Sequence, residues 1–307
     1  MFIFLFIFYN IKVNIINYLM NTTDIEPKTE KKVIVKGTGG LGNCLFQIAV
    51  AIYYAEKYGY KIYLHDNSNA LHYGTSNLSN RCQNKNINGI NISYKNNIFN
   101  KLNFIDCQSI QCKIIHNDYS NNKYILSEKD TNLIINGYCQ NKDLFVDVRN
   151  SIVNYLNIGD DDSITYIKNK YGIDESKKNI MLGIRICDDF KHMNKITSNS
   201  YKKALYHLVN DTEDDYNLII IADTIHNINN MINFKIKGNI IIVQEDDINQ
   251  FNAGLLCNNF ILSESTYHYW IAYLKTSIHK DTKVICFNNT DITNRNLDLD
   301  DWIKIDY

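Results

Sequence analysis

KVIVKGTGGLGNCLFQIAVAIYYAEKYGYKIYLH, residues 32–65, decides the fold of this chain. Residues 32–36 are a short β-branched run, the pattern of a strand. A glycine-rich turn follows. From Asn43 to Tyr58 the apolar residues Leu45, Ala49, Ile52 and Ala55 recur near helical spacing. Gly59 stands where a left-handed helix C-cap is expected. Residues 61–65 are a second strand, so strand, helix and strand form one βαβ unit with parallel strands.

The pattern returns downstream. NIMLGIRI (179–186), NLIIIAD (217–223), GNIIIVQ (238–244), NFILSES (259–265) and 283–287 read as strands. Residues 199–210 read as a helix with Ala204, Leu205 and Leu208 inward, and 247–257 and 266–276 as two more. Helices are also expected over 142–156 and 163–171. Residues 66–125 are Asn-rich and predict loops and short strands. Apolar strands alternating with helices imply parallel sheets covered on both faces. The expected fold is therefore α/β, with two Rossmann-like domains facing a central cleft. The organisation expected is an N-terminal extension (1–30), a first α/β domain (31–160) and a second (161–307).

Composition narrows the function. Lys+Arg is 32 and Asp+Glu 33, a net charge of -1, so the chain has no basic excess for general nucleic-acid binding. Hydrophobic residues make up 45% and there is one proline, which excludes disordered and Pro-rich classes. The eight cysteines form no C-x-x-C pair and read as reduced, intracellular residues. Cys107, Cys112 and His116 have loosely zinc-like spacing without a second pair, so they read as small apolar residues and no metal is expected.

Residues 2–9 (FIFLFIFY) are apolar, but Asn10, Lys12, Asn14 and Asn17 interrupt them well short of the roughly 20 residues a span needs. No basic residue precedes the run and no cleavage-site pattern follows it. Residues 1–20 read as a loosely held extension, or as a stretch upstream of a start at Met20. The expected location is intracellular and cytoplasmic, with a membrane-associated signal anchor as the alternative.

Five strand ends carry candidate chemistry. Gly37 to Gly42 fits G-x-G-x-x-G between a strand and a helix, where backbone amides, Gly40 and Gly42 among them, suit an anion. Asp66 ends the next strand, about 24 residues on, as in dinucleotide sites. Steric need for glycine in a tight turn explains the same pattern without a ligand. Arg185 closes an apolar strand and is followed by Asp188; a guanidinium there can bind a diphosphate, or pair with Asp188. Ser263 to Tyr267 enters a helix from a strand, offering Ser265 and Thr266 to phosphate or as helix caps. Asp223 ends a further strand, as a ribose contact or a cap.

Four of these stretches, in order, resemble the α-1,2-fucosyltransferase family (glycosyltransferase family 11). KGTGGLGNCLFQIAVA is similar to its G-x-L-G-N-x-x-F-Q signature and LGIRICDDF to its H-x-R-R-G-D-Y/F motif. IADTIHNINNMI resembles its S-D-D segment, and GLLCNNFILSESTYHYWIAYL its C-x-x-x-I-x-x-N-S-T-F-S-W-W-x-A-Y-L block. DDWIKIDY is like its terminal W-x-x-I. The resemblance covers residues 33–307. It implies a GT-B-like fold and an inverting transfer of fucose from GDP-fucose to a sugar hydroxyl, with a glycan acceptor and no metal or other cofactor. It also implies catalytic roles for Arg185, facing the diphosphate, and Asn43, facing the cleft. On the donor side it places Gly40, Gly42, Asp188, Asp223, Asp247, Ser265 and Thr266.

The chain departs from these motifs at Gly183 for histidine, Ile186 for the second arginine and Cys187 for glycine. Gln250 stands where an aspartate is usual, with Asp246 and Asp247 nearby. These departures keep open an inactive relative that binds glycan or nucleotide. The Gly37–Gly42 turn with Asp66 keeps open an NAD-dependent enzyme, which explains nothing after residue 180.

Overall fold

In the computed structural model, β1 (Lys32–Val35) pairs in parallel with β2 (Lys61–His65) through the helix α1 (Leu41–Tyr58). The structure describes residues 30–68, 70–71, 93–115, 132–186, 196–209, 215–224 and 228–307. Three further strands, β3 (Asn103–Ile105), β4 (Lys113–Ile115) and β5 (Asn132–Ile135), complete a parallel sheet in the order β3-β2-β1-β5-β4.

The second sheet follows α2 (Asp161–Tyr171). Its elements are β6 (Lys178–Ile184), α3 (Ser198–Leu208), β7 (Tyr216–Ala222), β8 (Asn239–Ile242), α4 (Asp247–Leu255), β9 (Asn259–Ile261), α5 (Thr266–Ile278), β10 (Lys283–Phe287) and β11 (Ile303–Ile305). The strand order is β11-β10-β9-β6-β7-β8, all parallel. From β6 the chain winds outward to β8, then returns beside β6 and winds the other way, which is the doubly wound Rossmann arrangement. The protein thus has two parallel-sheet, Rossmann-like α/β domains.

Lys32–Tyr307 is one compact unit and holds both sheets. Within it one apolar core spans both sheets, and a second covers the other face of the second sheet. The reason the first spans both lies in α1 and α5. Thirteen residues of α1 are buried, on more than one face, because it packs on its own sheet and also against the other domain. Phe46 of α1 lies 5.3 Å from Tyr269 and 4.9 Å from Trp270 of α5, ring centre to ring centre. Such pairs contribute about 0.5–1.5 kcal/mol each beyond their buried area.

Several expectations change. The helix expected over 142–156 is broken into the 3-10 turns Lys142–Leu144 and Val146–Val148 and one helical turn, Ile152–Tyr155. Its buried residues Leu144, Phe145, Val148 and Ile152 keep helix-like spacing, but Phe145 at φ -139° leaves the helical region. β5 has no counterpart in the sequence reading. The apolar run at residues 2–9 lies outside the described residues. Among those described, no helix is long and apolar enough to cross a membrane.

Candidate active site

Ligands of doubly wound sheets sit where the winding reverses, at the carboxyl ends of the two strands flanking the switch. Here the switches fall between β1 and β5 in one sheet and between β6 and β9 in the other. Residues following β1, β5 and β9 meet. Asn43, in the first turn of α1, accepts at Oδ1 from Gln140 Nε2, beyond β5, at 2.8 Å. The same oxygen accepts from Thr266 Oγ1, the first residue of α5, at 3.2 Å. Arg295 in turn donates to Gln140 Oε1 and pairs with Asp291 at 2.7 Å.

Gly42 makes this meeting possible. A Cβ there would lie 2.6 Å from the Thr266 carbonyl carbon and 2.6 Å from the Tyr267 nitrogen. The start of α1 is therefore flush against the backbone of α5. Gly40 is the N-cap of α1 and has no side chain to offer; Ser265 is the N-cap of α5, is buried, and makes no side-chain cap bond. By contrast α2, α3 and α4 are capped by Asp160, Thr197 and Asp246. Two helix N-termini without side-chain caps thus converge, a setting that favours an anion.

Arg185 follows β6 at the second switch. Its Nε lies 3.2 Å from Asp223 Oδ2, and Asp223 Oδ1 accepts from the Ile186 amide at 2.9 Å. Asp223, expected at a ribose, is engaged in fixing the exit of β6 and the guanidinium. Beside Arg185 lies His268, in the first turn of α5 and buried. Its Nδ1 is 2.7 Å from Ser263 Oγ, and a backbone hydrogen bond ties it to Ile221. Burial and then the Arg185 charge push its pKa down to about 3, so the imidazole is neutral.

Asp247, placed on the donor side from sequence, accepts from Tyr94 Oη at 2.7 Å, and its carbonyl accepts from Tyr267 Oη. It ties the segment after β2 to the start of α4. Burial and the Asp247 carboxylate hold the Tyr94 hydroxyl well above its usual range. Asp188 lies outside the described residues, as does His116. Cys107 contacts His65 Nδ1 at 3.2 Å, and the six described cysteines are free. Among the described residues no three His, Cys, Asp or Glu gather as a metal site.

The residues behind the dinucleotide alternative have partners of their own. The Gly37 amide donates to Gln47 Oε1 at 3.0 Å, and Gln47 Nε2 reaches the Thr38 carbonyl, so α1 itself fills the turn. Asp66 is paired with Lys95 at 2.7 Å. The positive φ of Gly37 (73°) and Gly39 (81°) accounts for those glycines without a phosphate.

Sequence reasoning missed Gln140, Arg295, His268 and Tyr94. Gln140 follows Cys139, a buried residue in the left-handed region (φ 53°). Such strain is typical of functional turns, and the only sequence signal was Gly137 after an apolar run.

No protein-family model matches the chain, and no curated protein matches it. Among solved structures it is similar to the fucosyltransferase NodZ from Bradyrhizobium, with 12% identity and a TM-score of 0.48 over 80% of this chain and 92% of that one. It is also similar to Arabidopsis thaliana FUT1, with 10% identity and 0.47 over 82% and 70%. A glycosyl transferase of family 9 from Veillonella parvula gives 8% identity and 0.48 over 90% and 87%. The fold assignment rests on the strand order and not on these distant likenesses.

Proposed function

We propose that the protein is a glycosyltransferase that moves fucose from GDP-fucose onto a sugar hydroxyl, with inversion, to form an α-1,2 linkage. The observation that carries this reading is the convergence at both switch points of two helix N-termini without side-chain caps, beside Arg185. The ordered motif resemblance supplies the donor and the linkage. As the bond from fucose to the diphosphate breaks, negative charge grows on the leaving GDP. Arg185 and the first-turn amides of α5 oppose that charge, with Asp223 fixing the guanidinium. With this positive field in place, the proposed reaction needs no metal. Asn43 and Thr266 join the acceptor-side domain to the donor side.

Calorimetric titration with GDP in EDTA tests the donor site, with UDP and NAD as controls. Selective GDP binding is expected; NAD binding, or none by a folded protein, sinks the reading. Arg185→Ala is expected to lower turnover of GDP-fucose roughly ten- to hundredfold, the loss of one charge-assisted contact. Its circular dichroism spectrum should be unchanged.

A second reading, a glycan- or nucleotide-binding relative without turnover, is favoured by one feature. Ile186 stands beside Arg185 where the resembled fucosyltransferase motif has a second arginine, so the clamp would hold one guanidinium. GDP binding with no transfer to any of a panel of acceptor sugars would select it.

A further inference from the structure

His268 is a buried polar residue that no part of the proposed reaction uses. Its ring bridges three adjacent strands of the second sheet, whose central order is β9-β6-β7. From β6, a Cβ on Gly183 would lie 2.6 Å from Nδ1 and 2.7 Å from Cγ of the imidazole, so the ring fills the space a side chain would take. From beyond β9, Ser263 Oγ reaches Nδ1 at 2.7 Å. From β7, the Ile221 backbone supplies the third tie. A neutral imidazole has one acceptor and one donor nitrogen. Ser263 and the Ile221 backbone both engage the ring, and its orientation is thereby fixed.

Residues two apart on extended chain share a face. Arg185 is two residues beyond Gly183, so its stem leaves on the side the imidazole occupies, while Asp223 holds its Nε from the end of β7. We infer that His268 is a positioning residue that, with Asp223, aims Arg185 at the donor diphosphate, and that residue 183 is glycine to admit the ring. This inference rests on the GDP-donor reading.

The test is GDP titration of the full chain and its variants. Wild type is expected to bind GDP, and His268→Asn to bind it about tenfold more weakly. In an Arg185→Lys background His268→Asn should change affinity less than about twofold, because a residue acting through Arg185 has nothing left to position. Gly183→Ala, which pushes on the same ring, should weaken binding like His268→Asn. Combining Gly183→His with His268→Ser should bring affinity back to within about threefold of wild type. Failure of the wild-type chain to bind GDP overturns the donor reading and this inference with it. Binding by wild type that His268→Asn leaves unchanged, or losses that add fully to that of Arg185→Lys, overturns the inference alone. Should His268→Asn fail to fold and the exchanged variant fail too, the imidazole serves the fold alone and the inference is wrong.

Discussion

Gly42 shows how one hydrogen in place of a methyl group joins two domains. It is helical, so alanine there would gain about 1 kcal/mol in helix propensity. The new Cβ would meet the α5 backbone at 2.6 Å, however, and backbone cannot rotate aside. Overpacking of this kind costs about 1–3 kcal/mol, so the clash wins. Gly42→Ala is expected to lower both the melting temperature and GDP affinity, measured by calorimetry; an unchanged affinity would separate the seam from the donor site. His268 makes a different prediction. Its pKa falls from 6.5 to about 3 on folding, so the unfolded chain takes up its proton first. Stability from this group is full above pH 6.5 and is lost as pH drops toward about 3, with a slope of at most about 1.4 kcal/mol per pH unit. Urea unfolding across that window should be less pH-dependent in His268→Asn than in wild type. Arg185 stood out in the sequence because it ends an apolar strand. His268 did not, because its partners on β6 and β7, Gly183 and Ile221, are distant in sequence.

Among the elements, β7 was the plainest to read. All seven residues of β7 are buried, and the sequence there is an apolar run with a polar end. β3 and β4 are edge strands of three residues, largely unburied, and too short to show alternation. The tyrosine at 94 has no local pattern at all, although it holds the start of α4. Tyr94→Phe removes the hydroxyl that Asp247 accepts from at 2.7 Å. Loss of a bond to a charged partner costs about 1–3 kcal/mol. The urea midpoint should fall accordingly, and a shift below about 0.5 kcal/mol would mean that Asp247 is held by its other contacts.

For the whole molecule, the continuous core predicts one cooperative unfolding transition for residues 32–307. Differential scanning calorimetry that resolves two transitions would show that each sheet is stable alone. A ligand seated between the sheets would bind only when both are folded, so GDP at a hundred times its dissociation constant should add about 2.7 kcal/mol to the single transition.

Gln140 adds a matter of timing. It is buried, and its partner Arg295 lies 155 positions later in the chain. A ribosome adding about 5–20 residues per second takes roughly 8–30 s to cover that distance. Throughout that interval the first sheet can be complete while the amide at its switch point waits for the guanidinium. The nascent first domain therefore emerges with an unfinished polar edge, and a segment made much later closes it.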